Sequence, residues 1–79
     1  MELKDFIQHF AEQFDETEAE VFTPETEFRE LDEWSSLISL SVIAMVDEEY
    51  GVALKGNDFR KATTIADLFE IVSAKKENG

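Results

Sequence analysis

The stretch Leu31-Asp32-Glu33-Trp34-Ser35-Ser36-Leu37-Ile38-Ser39-Leu40-Ser41-Val42-Ile43-Ala44-Met45-Val46-Asp47-Glu48-Glu49-Tyr50-Gly51-Val52 decides how the chain is read. Leu40, Ile43, Val46 and Tyr50 recur at helical spacing, and Val42 widens their stripe. A helix therefore starts at Ser35 or Ser36 and ends near Tyr50, where Gly51 supplies a C-terminal cap. Ser41, Ala44 and Glu48 fall on the opposite side. Leu37, Ile38 and Met45 flank that outer face and make it unusually apolar for a surface in contact with water.

Working outward, Leu3, Phe6, Ile7, Phe10 and Phe14 mark an amphipathic first helix of about three to four turns. From Asp15 to Ser35 the periodicity fades around the only proline, Pro24. A connection this long needs anchoring. Val21, Phe22, Phe28, Leu31 and Trp34 are expected to pin it, with a short helical turn near Glu27–Leu31. Beyond Gly51, Gly56 and Asn57 open a short segment, Asp58–Lys61, whose Phe59 faces inward. The last helix starts at Thr63 or Thr64, where Thr64 and Asp67 form a variant of the capping box. Ile65, Leu68, Phe69 and Val72 form its core stripe, Lys75 and Lys76 complement its C-terminal dipole, and the tail Glu77-Asn78-Gly79 is expected to fray. The expected fold is an all-α four-helix bundle, with three longer helices, one short helix and a long first loop. It forms a single domain over 1–79, with its core over about 2–75.

Composition narrows the function. With 79 residues the chain suits one domain, and its hydrophobic share of 43% and seven Phe argue for a folded core. Seven basic against nineteen acidic side chains give a net charge of −12. Such a surface repels nucleic acid and anionic membranes and attracts proteins with basic patches. There is no cysteine, hence no disulfide and no thiolate metal site. Met1-Glu2-Leu3-Lys4-Asp5-Phe6 lacks the apolar core of a signal peptide, and no apolar run is long enough to span a bilayer; the expected location is the cytoplasm. His9, the only histidine, flanks the core stripe of the first helix, which leaves no plausible Ser–His–acid triad. No run of acids has the spacing and glycine of a calcium loop, and Asp47-Glu48-Glu49 reads as a solvated helix face. No catalytic residue and no metal ligand is expected.

Ser36-Leu37 at the head of the central helix, Asp47-Glu48-Glu49 at its foot, and Tyr50 after them make the chain resemble the acyl carrier protein family. That family opens its second helix with Asp-Ser-Leu after a long first loop and ends it with acids before an aromatic residue. Helix order, loop length and total size agree as well. The resemblance implies that a phosphopantetheinyl transferase moves the 4'-phosphopantetheine arm of coenzyme A onto Ser36 Oγ. Acyl intermediates would then ride as thioesters on the arm's thiol in fatty-acid or related acyl and polyketide biosynthesis, in a carrier that is not itself an enzyme. A helix N-terminus would also offer N–H groups to the attached phosphate. The alternative, which the surrounding pattern disfavours, is a serine that only caps the helix.

One departure stands out: the family's acid before the modified serine is Ser35 here. Ser35 can cap the helix but carries no charge, and it is a second candidate hydroxyl. The resemblance places partner docking on Leu37, Ile38, Ser41, Met45, Asp47 and Glu48, although Ile38 and Met45 could instead pack beneath the long loop. The implied partners are the transferase and acyl-transfer and synthase enzymes with basic docking patches, meeting a monomer. Two other functions fit the same residues: an aminoacyl or peptidyl carrier, or an unmodified acidic adaptor that binds proteins through the central helix.

Overall fold

Phenylalanine spacing sets the first helix. In the computed structural model, which describes residues 2–78, α1 runs Leu3–Ala11 and buries Phe6 and Phe10 completely. The helix is shorter than its apolar stripe because the last turn tightens: Gln13 N–H donates to Phe10 O at 3.1 Å and Phe14 N–H to Ala11 O at 3.0 Å. Phe14 still reaches the core, at 6% exposure. Three further helices follow, α2 over Ser36–Tyr50, α3 over Gly56–Lys61 and α4 over Ile65–Asn78, and no strand is present among the described residues. α1 packs on α2 and α4, and α3 packs on α4. The all-α bundle with a long first loop is the fold observed.

The loop is anchored by aromatic rings and by hydrogen bonds. Phe10 meets Phe14, Phe22 and Phe28 at ring-centroid distances of 5.5, 6.1 and 5.6 Å, and Trp34 at 6.4 Å. Offset and edge contacts of this kind add to the area buried. Two short 3₁₀ turns, Ala19–Val21 and Phe28–Glu30, shape the loop, the second where a helical turn was expected. Val21 does not anchor it: the turn directs Phe22 inward and leaves Val21 44% exposed. Two backbone bonds and one side-chain bond do the remaining work. Ile65 N–H donates to Thr26 O at 3.1 Å, Ala66 N–H to Pro24 O at 3.0 Å, and Arg29 Nη2 to Ala62 O at 3.0 Å.

Packing also rotates α2 relative to the expected stripe. Val42, Met45 and Val46 are buried and Ile38 packs half-buried against them, whereas Leu40 is 60% exposed. Leu40 is therefore a surface residue and Met45 a core residue, the reverse of the reading from spacing. Apolar side chains occupy so many positions between Leu37 and Val46 that periodicity alone admits more than one stripe; the match to α1 selects this one.

The helix ends follow local chemistry. Gly51 adopts φ 67°, a left-handed conformation glycine reaches without penalty, and its N–H returns to Asp47 O at 3.0 Å. Lys76 Nζ adds a bond to Tyr50 O at 3.1 Å. At the start of α4, Asp67 Oδ2 accepts the N–H groups of Thr63 and Thr64, both at 3.1 Å, and Thr64 Oγ1 accepts that of Asp67 at 3.2 Å. The backbone donors from Thr64 and Thr63 hold the Asp67 carboxyl below its ordinary pKa. α4 continues through Glu77 and Asn78 rather than fraying there; Gly79 lies outside the described residues.

Glu33 joins the two ends of the long loop. Its carboxylate accepts Thr17 Oγ1 at 2.7 Å and the backbone N–H groups of Asp15 at 2.8 Å, Glu16 at 3.1 Å and Thr17 at 2.9 Å. The Thr17 hydroxyl, then these backbone donors, hold its pKa below the ordinary value even though partial burial opposes them. A depressed folded-state pKa contributes stability that is present above the unfolded value and lost as pH falls through the folded one. Glu33→Gln is accordingly expected to lower the melting temperature at pH 7, with a smaller deficit near pH 3. Thermal unfolding followed by circular dichroism at both pH values checks this, and an equal deficit at each would exclude the charge as its source.

Candidate functional site

Two adjacent serines at the head of α2 divide two tasks. Ser35 has an extended backbone, and its Oγ accepts the Ile38 N–H at 3.3 Å, so it is the N-cap. Its carbonyl takes the first intrahelical bond, from Ser39 N–H at 2.9 Å. Ser36 is the first helical residue and is exposed. Among the described residues no hydrogen bond engages its hydroxyl; its carbonyl accepts Ser39 Oγ at 2.8 Å. The N–H groups of Ser36 and Leu37 precede the first intrahelical bond, as at any helix start. The capping role thus belongs to Ser35 and not to Ser36, whose hydroxyl is left uncommitted.

Ser36 lies in an open cleft of about 450 Å³. Trp34, Ser35 and Ser39 line it with Ser36, and Gly56, Phe59 and Arg60 of α3 line it too, together with Arg29 from the second 3₁₀ turn. Trp34 and Phe59 meet edge to face at 5.3 Å, joining the loop before α2 to α3. The lining holds two guanidinium groups and no carboxylate. An exposed, unbonded hydroxyl beside cations is suited to bear a phosphodiester.

The outer face of α2 presents Leu37, 76% exposed, and Leu40, with exposed Ser41, Ala44, Asp47 and Glu48 on the same side. Of the residues expected to dock partners, Leu37, Ser41, Asp47 and Glu48 share this face. Ile38 and Met45 do not belong to it: Met45 is 6% exposed and Ile38 leans on the core. Leu40 was missed, yet the i, i+3 spacing from Leu37 points to it.

His9 sits half-buried between Glu12 Oε1, 3.6 Å from Nδ1, and Glu49 Oε1, 3.9 Å from Nε2. Glu49 stands thirteen residues along α2 from Ser36, a rise of about 20 Å. His9 and Ser36 therefore cannot form a nucleophile–base pair. Among the described residues no cluster of three or more His, Cys, Asp or Glu side chains could hold a metal ion.

The family model described as "Phosphopantetheine attachment site" matches residues 4–72. The chain belongs to this family. Its members are non-catalytic carrier domains bearing covalently attached 4'-phosphopantetheine, and they work with phosphopantetheinyl transferases and acyl-handling enzymes. No curated protein and no solved structure matches the chain. No helix among the described residues is long and apolar enough to cross a membrane.

The cap gives a direct check on the geometry of the attachment-family helix. Ser35→Ala removes the acceptor for the Ile38 N–H and is expected to cost about 1 kcal/mol. Ser35→Asp keeps the cap and places negative charge at the positive helix end, so it is expected to equal or exceed the wild type. Urea denaturation ranks the three chains, and an alanine variant as stable as wild type would remove Ser35 from the capping role.

Proposed function

We propose that Ser36 Oγ is the attachment point and that the chain carries acyl groups between enzymes of fatty-acid or related acyl and polyketide synthesis. The observation behind this reading is the free, exposed hydroxyl of Ser36 at the first residue of α2, with the cap made by its neighbour. When bound, the arm supplies the terminal thiol on which acyl groups are held as thioesters, a chemistry this cysteine-free chain lacks. Ser36 Oγ would bond the phosphorus of coenzyme A's pantetheine arm as the pyrophosphate P–O bond breaks and adenosine 3',5'-bisphosphate leaves, and α2 presents the hydroxyl at the surface, where a transferase can take its proton. Ser35 and Trp34 fix where α2 begins.

Partners dock on the outer face of α2. Leu37 and Leu40 fill shallow apolar pockets, while Asp47 and Glu48 steer basic surfaces toward it. Ile38 supports this surface from beneath. The net charge of −12 raises encounter rates with cationic partners and keeps copies of the chain apart, which favours a monomer.

Incubation with coenzyme A and a broad-specificity phosphopantetheinyl transferase, followed by intact-mass measurement, tests the attachment point. Wild type is expected to gain one phosphopantetheine and Ser36→Ala none, while Ser35→Ala still gains it. Loss of the gain in Ser35→Ala with retention in Ser36→Ala would move the site to Ser35. The docking face is tested with the same transferase. Leu37→Asp is expected to keep the wild-type melting temperature and lose roughly tenfold in kcat/KM for modification, equivalent to about 1.4 kcal/mol of transition-state binding. Ile38→Asp is expected to lose about 1–3 kcal/mol of folding stability, because it sets a charge against the core. Unaltered modification of Leu37→Asp would remove this face from transferase recognition.

A further inference from the structure

The cleft beside Ser36 runs against the charge of the molecule. The chain has seven basic and nineteen acidic side chains, yet two arginines line this cleft and no acid does. Both are oriented by contacts within the protein. Arg60 Nη1 donates to Asn57 Oδ1 at 3.2 Å within α3, and Arg29 Nη2 donates to Ala62 O at 3.0 Å. A guanidinium has five N–H donors in a planar fork, so a single bond on each leaves donors free for a second acceptor. A side chain already held in place also loses less freedom on binding. Ser35, which lines the same cleft, contributes a cap and no negative charge, so no carboxylate at that position competes for the arginines.

We propose that Arg60 and Arg29 bind the phosphate of the arm attached to Ser36, seating the root of the arm in the cleft between the head of α2 and α3. This rests on Ser36 being the attachment point. The ligand is a phosphodiester monoanion, which a guanidinium recognises by charge-assisted hydrogen bonds. No other charge of the lining opposes it. The site is open to solvent, so salt weakens the contact.

The test uses the full chain, loaded by the transferase and confirmed by intact mass. Three forms are compared, wild type, Arg60→Ala and Arg60→Lys; Arg60 is chosen because it is exposed and bonds only Asn57, whereas Arg29 also ties the loop to Ala62. In wild type, loading is expected to shift the side-chain Nε–H resonances of Arg60 and Arg29. The phosphorus resonance of loaded Arg60→Ala is expected to move from the wild-type position toward that of the urea-unfolded loaded chain, with Arg60→Lys between them. High salt is expected to narrow the difference between wild type and Arg60→Ala. Loading with unmoved arginine resonances and superposable phosphorus signals would overturn the proposal and leave attachment at Ser36 intact. Failure of wild type to gain the arm's mass would overturn both.

Discussion

The packing of Phe10 against Phe14, Phe22, Phe28 and Trp34 is the contact on which the rest of the structure depends. A loop running from the end of α1 to the start of α2 is costly to order, and ring burial offsets that cost where no regular ladder of hydrogen bonds can. Phe28 is fully buried and Phe22 nearly so. Trp34, the last ring of the series, stands immediately before the two serines and meets Phe59 of α3. The position of Ser36 is thus inherited from α1 through the loop, and the cleft exists because Trp34 and Phe59 hold α3 beside the head of α2.

Glu33 and Arg29 complete this anchoring by polar means, and each acts at a point the rings cannot reach. Glu33 gathers three backbone donors and a hydroxyl from the start of the loop to its end. Arg29 fixes the middle of the loop to the junction of α3 and α4. These groups are partly exposed, so their value lies in direction more than in energy. They set the register of a segment that hydrophobic contact alone would leave free to slide.

Much of this was legible in the sequence, and the failures share a cause. The limits of α2, its glycine cap, the 3₁₀ turn near Phe28, the inward Phe59 and the threonine cap of α4 are local features, each written in a few neighbouring residues. Leu40 and Met45 were misplaced because α2 carries apolar side chains around most of its circumference, and only its partner helix chooses which are buried. Val21 was misplaced because a 3₁₀ turn alternates inward and outward positions differently from a helix. Glu33 could not be found at all. A carboxylate receiving backbone N–H groups from sixteen to eighteen residues away leaves no periodic trace. Of the candidate site, the place of Ser36 at the head of α2 and the exposure of Leu37, Asp47 and Glu48 were readable. The cleft was not, because its cations come from two segments separated by thirty residues of sequence.

That separation bears on why an acidic carrier keeps positive charge where it does. Three of the seven cations have structural roles: Lys75 lies 3.5 Å from the buried Asp58, Lys76 closes the end of α2, and Arg29 anchors the loop. Arg60 has no comparable structural partner; its one bond is to Asn57 in the same short helix. A cation with so little to stabilise, standing beside an unbonded hydroxyl in a lining without acids, makes better physical sense as part of a binding surface than of the scaffold. The charged side chains lining the Ser36 cleft are Arg29 and Arg60, while the outer face of α2 carries Asp47 and Glu48. On the attachment and docking proposed above, the phosphate at Ser36 and the basic partners would be drawn to separate parts of the same helix.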